Sequence, residues 1–480
     1  MQARNLVTDL PDSVTERHEV FVGGEWIACR GDRLMVEDPS SEEEFGSVPR
    51  AGETEAVEAV RAARAAMPAW SRRPVHERAE VLRDIAVRLE DKAAMIATVV
   101  RREVGVPLSQ IHPMQIDLAV EAFRQAAVAV EQMPWRWEEQ NSTVVRMPYG
   151  PVLCIVPWNV PLYQSALKVA SALAAGNTVI LKPSELAPIA TFLIADAVLE
   201  ANVPTGVFNL LSGDGDTGAA LARQPGLGMI SFTGSTGTGR RILQTAAQAI
   251  VPVSLELGGK GAALILDHEV LAEGVAAAVR SCLALAGQTC AATTRLLVLR
   301  SHRAEAEELV AHHLNQQWIG DPADPTTTVG PLISGRQRDR VVEMVDRATM
   351  TQARALTVPL VTPDRGYFVA PVAFAGVRPE DDVAQDEIFG PVLSIIEIAD
   401  EREAIDVANG TRYGLSHAVW AADPQRAFEV GRQLQAGSVY LNGGQFNPHA
   451  PFGGTKESGY GRERGAAGVE EFTQTQSLHH

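Results

Sequence analysis

The sequence predicts an α/β protein built on largely parallel sheets, and three observations support this fold class. Short β-branched runs alternate with Ala-rich helical stretches, and turns that contain Gly or Pro separate them. The chain has 480 residues, which is long enough for more than one domain. Apolar residues make up 46% of the chain and charged residues 21%, which is ordinary globular usage. Such alternation is typical of a parallel sheet flanked by helices.

The clearest alternation lies between residues 152 and 211. Short apolar runs rich in β-branched residues predict buried strands, and apolar residues at helical spacing predict the helices between them. In chain order the predicted elements are strand Val152–Val156, helix Gln164–Ala175, strand Thr178–Leu181, helix Ile189–Ala201 and strand Val207–Leu211.

The rest of the chain extends this pattern in both directions. Further short strands predict a second α/β lobe, and they are Ala262–Leu266, Arg295–Leu299, Val392–Ile396 and Val439–Leu441. Upstream, amphipathic helices are predicted over Thr54–Trp70 and His76–Val104. The segment Trp135–Pro151 alternates polar and apolar residues and ends on prolines and a glycine, which indicates an exposed ribbon.

Charge and cysteine content argue against several function classes. A formal net charge of −17 argues against nucleic acid or an anionic membrane as main partner, because both attract basic surfaces. No signal peptide and no run of about 18 apolar residues is found. The four cysteines are too few and too scattered for a disulfide scaffold or a paired zinc site. We therefore expect a cytoplasmic protein without a metal site.

One Gly-rich segment imitates a dinucleotide-binding turn. Gly213–Gly218 (GDGDTG) has the glycine spacing of such turns and follows a predicted strand. That interpretation also needs an acidic residue about 20 positions later to hold the ribose hydroxyls. No Asp or Glu occurs between Gly218 and Glu256. We therefore interpret the segment as a turn before a helix that an Asp caps.

A second Gly-rich segment, Ser231–Arg240 (SFTGSTGTGR), is the better candidate for binding phosphate. Its small hydroxyl and glycine residues end a strand and open a helix predicted over Arg240–Ile250. Free backbone N–H groups at a helix N-terminus attract a pyrophosphate. From these residues alone, an ordinary helix cap is an equally good interpretation.

Two residues are candidates for chemistry. Glu256 lies between leucines and before two glycines (SLELGGK), so burial could raise its pKa and make it a general base. Cys290 lies among small residues (AGQTCAA), which leave space for a substrate beside a nucleophilic thiol. Taken singly, each has an ordinary explanation. A glutamate is usually exposed or salt-bridged, and a lone cysteine usually fills apolar space.

Taken together, these segments resemble the aldehyde dehydrogenase superfamily. Glu256 in LELGGK is followed 34 residues later by Cys290 in GQTC, which is similar to the signature pair of that family. Other blocks match in the family's order, namely PWNVP (Pro157–Pro161), LKPSE (Leu181–Glu185), FTGST (Phe232–Thr236), DEIFGPV (Asp386–Val392) and PFGGTKESGYGRERG (Pro451–Gly465). With smaller matches near residues 21 and 150, the resemblance covers nearly the whole chain.

The resemblance implies a hydrolytic, NAD(P)-dependent aldehyde dehydrogenase that produces a carboxylic acid. Cys290 would attack the aldehyde, giving a thiohemiacetal and then, after hydride transfer to nicotinamide, a thioester. Asn159 and the Cys290 backbone N–H would stabilise the oxyanion. Glu256 would activate the water that hydrolyses the thioester. Lys182 is also assigned to the catalytic group by this resemblance.

The family's cofactor-binding positions are carried over in the same way. The residues that bind the adenosine ribose hydroxyls are matched by Lys182 and Glu185. The positions that contact the pyrophosphate are matched by Trp158, Gly234, Ser235 and Gly239. Glu387 matches the residue that holds the nicotinamide ribose, and Phe389 matches the residue beside the nicotinamide ring. Glu185 favours NAD, because a carboxylate repels the 2′-phosphate of NADP. NADP stays possible, because rotation of Glu185 and the neighbouring Lys182 can relieve that repulsion.

The resemblance also implies three structural parts. A Rossmann-like NAD(P)-binding domain would comprise residues 1–125 and 147–258, and an α/β catalytic domain residues 259–444. A small β oligomerisation ribbon, residues 126–146, would combine with the C-terminal tail, residues 462–480. Relatives add this ribbon to a neighbour's sheet, so we expect a homodimer or a homotetramer.

One departure from the family's pattern concerns the nucleophile loop. Leu285 stands where relatives often carry Asn, so the loop lacks one hydrogen-bonding side chain. The family's aldehyde tunnel is matched by residues of mixed polarity, namely Val160, Gln164, Leu167, Thr289, residues 445–449 and Phe452. This mixed lining favours a medium-sized aldehyde that carries a polar group or a ring.

Two other functions compete with this one. An acylating relative would pass the acyl group to coenzyme A, but such enzymes generally lack the hydrolytic glutamate, which is present here as Glu256. A non-catalytic scaffold could keep the fold without activity. Such a scaffold would need none of Cys290, Glu256 and Asn159, and all three are present.

Overall fold

The fold is described by a computed structural model that covers residues 10–356 and 360–480. Two sheets of mostly parallel strands, each flanked by helices, form the body of the chain, so the predicted α/β class is confirmed. Residues 1–9 lie outside the described residues. They belong to the predicted first domain and to the N-terminal segment that the sequence predicts not to be a signal peptide.

The first sheet has eight strands. In spatial order they are Glu25–Ala28, Glu19–Val22, Phe208–Leu210, Val179–Lys182, Val152–Ile155, Met229–Thr233, Val253–Glu256 and Gly459–Tyr460. The five central strands are parallel, and antiparallel strands flank them at both edges. Four of these five central strands are buried throughout, as expected when helices cover both faces of a parallel sheet.

Helices of the N-terminal half cover this sheet. They are Asp12–Thr15, Glu53–Ser71, Val75–Asp91, Ala93–Val104, Leu108–Ile111, Asp117–Gln132, Pro161–Ala174, Ile189–Glu200, Gly215–Ala222 and Thr236–Ala249, with one π-helical turn at His112–Ile116. The strands and helices predicted between residues 152 and 211 are therefore confirmed within a few residues at their ends.

Two predicted helices have different bounds in the structure. The single helix predicted over His76–Val104 is wrong, because the chain leaves helical geometry at Lys92, where φ is −93° and ψ is 2°. The helix predicted to begin at Arg240 begins at Thr236 instead. Its first turn is made of Gly and Thr, which carry no apolar periodicity and so give no helical signal.

The second sheet has seven strands. In spatial order they are Arg354–Leu356, Val372–Ala375, Val392–Ile398, Thr293–Leu299, Gly261–Ile265, Ser416–Trp420 and Ser438–Leu441, and all pairs except the first are parallel. The α-helices of this half are Leu271–Leu283, Arg303–Asn315, Gly335–Thr349, Asp382–Gln385, Glu401–Asn409, Pro424–Gly431 and Gly465–Glu470. Short 3-10 turns occur at His268–Val270, Ala284–Gly287 and Arg300–His302. The predicted second α/β lobe is confirmed.

A smaller antiparallel sheet joins distant parts of the chain. Arg136–Glu139 pairs with Ser142–Pro148, which pairs in turn with the C-terminal strand Thr473–His479. These strands occupy the segment that the sequence predicts to be an exposed ribbon, together with the tail. Two further pairs are Arg33–Asp38 with Glu43–Pro49, and Tyr413–Gly414 with Thr455–Lys456.

One segment of the described chain is long and apolar enough to cross a membrane by length and composition alone, and it spans His268–Gly287. More than half of it is buried within the protein. Its helix Leu271–Leu283 packs against the second-sheet strands Gly261–Ile265 and Thr293–Leu299. This packing is that of a core helix.

Ile250 offers a test of the backbone geometry at the end of the helix Thr236–Ala249. It adopts a left-handed conformation with φ of 55°, and its side chain is 89% exposed. A β-branched residue in this conformation costs about 1–2 kcal/mol, and glycine avoids that cost. Ile250→Gly should therefore raise the free energy of unfolding by about 1 kcal/mol, measured by chemical denaturation. Ile250→Val should leave it unchanged, and a destabilised Gly variant would contradict the assigned geometry.

Candidate active site

The strand order of the first sheet reverses beside the strand Val152–Ile155. The next two strands along the chain, Val179–Lys182 and Phe208–Leu210, lie on one side of it. The strand after them, Met229–Thr233, pairs with its other side. Ligands of open parallel sheets bind in the crevice at the carboxyl ends of strands at such a reversal. Asn159 and Ser235 follow these two strands, and Glu256 ends the next strand.

Cys290 lies on a turn just before the second-sheet strand Thr293–Leu299. The side chain of Gln288 holds this turn in place. Its Oε1 accepts a hydrogen bond from the Ile333 backbone N–H at 2.9 Å, and its Nε2 donates to the Leu285 carbonyl at 3.0 Å. The Cys290 residue as a whole is partly exposed, whereas its thiol group is desolvated by burial.

Three consecutive left-handed residues shape the approach to this turn. Leu285, Ala286 and Gly287 have φ angles of 50°, 55° and 79°. A Cβ atom on Gly287 would lie 2.1 Å from the carbonyl oxygen of Gly390, so a larger residue would push the two segments apart. Leucine adopts this conformation less readily than asparagine does, so the surroundings must hold Leu285 in it. The Leu285 backbone N–H donates to Gln110 Oε1 at 2.9 Å.

Asn159 is fixed beside the same turn. Its Nδ2 donates a hydrogen bond to the Gln288 carbonyl at 2.8 Å, and its own carbonyl accepts one from Gln115 Nε2 at 3.0 Å. The side chain is buried. An amide nitrogen carries two hydrogens, so a second N–H can serve an oxygen atom that binds beside Cys290.

Glu256 is a buried carboxylate without hydrogen-bond donors. Neither of its oxygens has a partner among the described residues, although only 3% of the residue is exposed. Burial raises the pKa of Glu256 well above its usual value, and the charge of Glu463 raises it further, while Lys168 opposes both. A carboxyl group with a raised pKa binds a proton more readily than an exposed glutamate does, so it can take part in proton transfer.

The sequence did not predict the ion pair that lies behind Glu256. Lys168 Nζ contacts Glu463 Oε1 at 2.6 Å and donates to the Ser231 hydroxyl at 2.9 Å, and both charged side chains are almost fully buried. The pair joins the helix Pro161–Ala174 to the C-terminal segment. Its sequence signal is a lysine within a mostly apolar helix, and that signal does not identify the partner.

The glycine pair Gly258 and Gly259 allows three segments to meet. A Cβ atom on Gly258 would lie 2.2 Å from Glu387 Oε2, and one on Gly259 would lie 2.3 Å from the Cys290 carbonyl oxygen. The Gly259 backbone N–H also donates to Glu387 Oε1 at 3.0 Å. Because Glu256 precedes this pair by two residues, the glycines bring it, Cys290 and Glu387 into one site.

The electrostatic surroundings disfavour a free thiolate. Burial raises the pKa of the Cys290 thiol to about 12, and the charges of Glu387 and Glu256 act in the same direction. At neutral pH the resting thiol is therefore protonated. A nucleophilic role for Cys290 then requires a base that accepts its proton.

The helix Thr236–Ala249 points its N-terminus at the crevice. Ser235 caps this helix by accepting a hydrogen bond from the Thr238 backbone N–H at 3.3 Å. The preceding Gly234 donates its N–H to the Glu256 carbonyl at 3.0 Å, which fixes the turn to the neighbouring strand. Uncommitted backbone N–H groups in the first turn of a long helix favour an anionic group.

A cavity of about 440 Å³ lies in front of this helix N-terminus. A Cβ atom on Gly237 would meet open space, whereas one on Gly239 would lie 2.8 Å from the Leu257 side chain. The first glycine therefore leaves room for a ligand, and the second allows the helix to pack closely on its strand. The cavity is lined by Ser235, Thr236, Gly237, Arg240, Arg340, Glu387, Arg412, Tyr413 and Glu457.

Lys182 and Glu185 lie together after another strand of the first sheet. Their Nζ and Oε2 atoms are 3.7 Å apart. Burial lowers the pKa of Lys182, while the charges of Glu185 and Asp214 oppose that shift. Asp214 also caps the helix Gly215–Ala222 by accepting from its backbone N–H groups, so the interpretation of Gly213–Gly218 as a capped turn is confirmed.

Among the contacts of the described residues, Lys182 interacts with Glu185 rather than with Cys290 or Glu256. Its place in the catalytic group therefore stays a prediction from resemblance. Trp158 and Phe389 contact each other edge to face, with ring centres 5.4 Å apart. Phe389 has a left-handed φ of 60° and follows Glu387 by two residues.

A second cavity, of about 340 Å³, lies beside the turn that carries Cys290. Thr289 and Ala291, the two neighbours of Cys290, line it together with Tyr440 and Phe446. Of the residues matched to an aldehyde tunnel, Thr289 and Phe446 thus border this space. Val160, Gln164 and Leu167 are buried instead, and Gln164 Oε1 accepts a hydrogen bond from the Thr233 hydroxyl at 3.4 Å.

Known proteins of one kind resemble this chain along nearly its whole length. Residues 26–478 match the model of the aldehyde dehydrogenase family. A 3-succinoylsemialdehyde-pyridine dehydrogenase from Pseudomonas sp. is 40% identical over 466 residues, which cover 96% of this chain and 98% of that protein. A geranial dehydrogenase from Castellaniella defragrans is 36% identical, with 97% of this chain and 99% of that protein covered.

Solved structures agree with these sequence matches. A cysteine-to-alanine mutant of aldehyde dehydrogenase C from Pseudomonas syringae, complexed with NAD+ and octanal, has a TM-score of 0.95 and 35% identity, and 98% of each chain is covered. A Mycobacterium tuberculosis aldehyde dehydrogenase complexed with NAD+ has a TM-score of 0.94 and 37% identity, with 97% of this chain and 98% of that chain covered.

The raised pKa of Cys290 predicts how the thiol reacts with iodoacetamide. Only the thiolate is alkylated, so the rate at Cys290 should rise about tenfold per pH unit from pH 7 to pH 9 without a plateau. Peptide mass spectrometry of the apoenzyme measures this rate, and the partly exposed Cys29 in the same sample serves as internal reference. A plateau below pH 8 would mean that the surroundings stabilise the thiolate instead.

Proposed function

Because the chain belongs to the aldehyde dehydrogenase family, we propose that it oxidises an aldehyde to a carboxylic acid with NAD as the cofactor. The observation that carries this proposal is the convergence of Cys290 and Glu256 at the glycine pair Gly258 and Gly259, with Asn159 hydrogen-bonded to the same nucleophile turn. A thiol, an amide donor and a proton-accepting carboxyl group are the three groups that acyl transfer through a cysteine requires.

Cys290 forms the first covalent bond in the proposed reaction. Its sulfur attacks the aldehyde carbon, and the oxygen of the resulting thiohemiacetal accepts hydrogen bonds from Asn159 Nδ2 and the Cys290 backbone N–H. Donors aimed at this developing charge lower the barrier, and the loss of one such donor typically costs about 10²–10³ in rate. When bound, nicotinamide supplies the acceptor for the hydride that leaves the former aldehyde carbon, so that a thioester remains on Cys290.

Glu256 moves protons in this scheme. Its raised pKa and its lack of hydrogen-bond donors suit a group that accepts the proton of the Cys290 thiol and releases it to solvent. The carboxylate then accepts a proton from the water that attacks the thioester and returns it to the Cys290 sulfur. Hydrolysis releases the carboxylic acid and returns Cys290 to its thiol form. The Lys168–Glu463 pair behind Glu256 supports this role, because its charges influence the proton affinity of Glu256.

The residues of the crevice fit a dinucleotide. The helix after Ser235 and the open space at Gly237 suit the pyrophosphate, and the carboxylate of Glu387 suits a ribose hydroxyl. Lys182 and Glu185 would hold the adenosine ribose, and Trp158 with Phe389 would border the nicotinamide. The relatives from P. syringae and M. tuberculosis that bind NAD+ support this assignment.

The aldehyde itself is inferred from the lining of the site. The named relatives act on a succinoylsemialdehyde-pyridine and on geranial, and one solved relative is complexed with octanal, so members of this size accept varied chains. The cavity beside Cys290 combines apolar walls with Thr289 and Tyr440. We infer a medium-sized aldehyde that carries a polar group or a ring.

We also infer a homodimer or a homotetramer in the cytoplasm. Strand Ser438–Leu441 forms an edge of the second sheet, and Arg136–Glu139 forms an edge of the small sheet. Open edges are usually covered, and pairing of two copies would cover them. All four cysteines are unpaired, as expected in a reducing compartment.

We further propose the division of the chain into three parts. The NAD(P)-binding domain comprises residues 1–125 and 147–258, and the catalytic domain comprises residues 259–444. The oligomerisation ribbon and the C-terminal tail comprise residues 126–146 and 462–480.

Glu256→Gln tests both proton transfers of the proposed reaction. Formation and hydrolysis of the thioester should each slow by at least about 100-fold, because the base that serves both steps is lost. Stopped-flow absorbance at the NADH band should then show slow turnover without an initial burst.

The surface variant Glu131→Gln serves as the control and should keep the wild-type steady state. Wild-type turnover by Glu256→Gln would remove Glu256 from the mechanism.

The carboxylate of Glu185 predicts a preference between the two dinucleotides. The kcat/KM for NAD should exceed that for NADP by at least about tenfold, since Glu185 repels a 2′-phosphate. Glu185→Gln should reduce this ratio by about tenfold, mainly by lowering the KM for NADP. Steady-state kinetics with both cofactors, with Glu200→Gln as the matched surface control, measures the ratio, and a wild-type advantage for NADP would disprove the preference.

A further inference from the structure

Arg464 is a buried cation close to the proposed reaction centre. Only 8% of the residue is exposed, and its backbone has a φ of 74° and a ψ of 152°. This conformation is strained for a residue with a side chain, and such strain persists only where the surroundings enforce it. Arg464 directly follows Glu463, but that carboxylate is paired with Lys168.

Three aromatic rings enclose the guanidinium group of Arg464. Its carbon Cζ lies 4.2 Å from the ring centre of Phe452, 4.3 Å from that of Phe446 and 5.9 Å from that of Tyr163. Ring faces attract a cation but offer it no carboxylate. Phe446 and Phe452 belong to one loop, whereas Tyr163 comes from the distant helix Pro161–Ala174, so the complete cage exists only in the folded protein.

The charge of Arg464 lacks an anionic partner. Among residues 10–356 and 360–480, no carboxylate lies within ion-pair distance of the guanidinium, and its Nε–H has no hydrogen-bond partner although the atom is buried. Burial of an unpaired cation is costly, because protein replaces its hydration shell. A bound group that supplies a negatively polarised oxygen would offset this cost.

The cage borders the cavity at the nucleophile. Phe446 lines the space that Thr289 and Ala291 also line, on either side of Cys290 in the sequence. Burial raises the pKa values of Cys290 and Tyr440, and the positive charge of Arg464 opposes both shifts. Arg464 is therefore close enough to act on a molecule that is bound at Cys290.

We propose that Arg464 is a specificity-determining residue that binds a hydrogen-bond-accepting oxygen on the aldehyde, either a carboxylate or a ketone, a few atoms from the aldehyde carbon. This inference rests on the proposed function and names its substrate class. The apolar rings would contact the carbon chain of such a semialdehyde or oxo-aldehyde, while the guanidinium donates to its second oxygen group.

Matched substrates test the proposal. Butanal is compared with 4-oxobutanoate, and pentanal with 4-oxopentanal, so that each pair differs only in the second oxygen group. Wild-type kcat/KM should favour at least one oxygen-bearing member by tenfold or more. A preference in the first pair alone identifies a carboxylate, and a preference in the second identifies a ketone. Equal kcat/KM values within both pairs would overturn the proposal.

Variants assign the preference to the guanidinium. Arg464→Met should abolish the preference, so that kcat/KM becomes equal within the pair, mainly through a higher KM for the oxygen-bearing aldehyde. Arg464→Lys should keep part of a carboxylate preference. Arg102→Met, which removes a cation 4.4 Å from the Phe45 ring away from the site, is the matched control and should behave as wild type. Equal losses on both members of a pair would indicate a role in the thiol or the fold instead.

A measurement on the wild type alone covers the case in which Arg464→Met does not fold. Succinate and 4-oxopentanoate should inhibit at least tenfold more tightly than butanoate and pentanoate, respectively, in whichever pair shows the substrate preference. Equal inhibition by matched acids would overturn the proposal. NADH formation from the plain aldehydes tests the oxidation itself, so a failure of the proposed function can be told from a failure of this inference.

Discussion

The candidate site depends on the close approach of backbone that Gly258 and Gly259 allow. Any side chain at these positions would collide with the Glu387 carboxylate or with the carbonyl of Cys290. The first sheet supplies Glu256 immediately before the pair, and the second sheet begins immediately after it. The chain thus crosses between its two sheets at the one place where the acid, the thiol and the nucleotide crevice meet. Catalytic groups on strand ends and braced turns are held more precisely than groups on long loops.

Desolvation gives these groups their character. The same burial that keeps the Cys290 thiol protonated also raises the pKa of Glu256 well above its usual value. The Lys168–Glu463 pair and Arg464 place further charges around this centre. Glu463 raises the pKa of Glu256, whereas Lys168 and Arg464 lower it. In such a desolvated site, the affinity for a substrate depends strongly on the charge of that substrate. The unpaired guanidinium of Arg464 can therefore determine which aldehydes bind.

Local patterns in the sequence predicted the strands and helices around residues 152–211, because buried runs and helical spacing are local signals. They also picked out Cys290 and Glu256, although each was ambiguous until the family's blocks were matched in order. The break at Lys92 was missed because apolar spacing continues across it. The Lys168–Glu463 pair and the ring cage of Arg464 join segments far apart in the chain. Such contacts follow from tertiary packing and leave no local pattern to read.

The central claim is that a single sulfur carries the acyl group during turnover. Rapid acid quench of the wild-type enzyme with aldehyde and NAD, followed by peptide mass spectrometry, examines this directly. A mass increase equal to the acyl group should appear on the peptide that contains Cys290, and it should be absent from Cys290→Ala, which should also form no NADH. Turnover without any acyl adduct, or an adduct on Cys29, Cys154 or Cys282 instead, would contradict the claim.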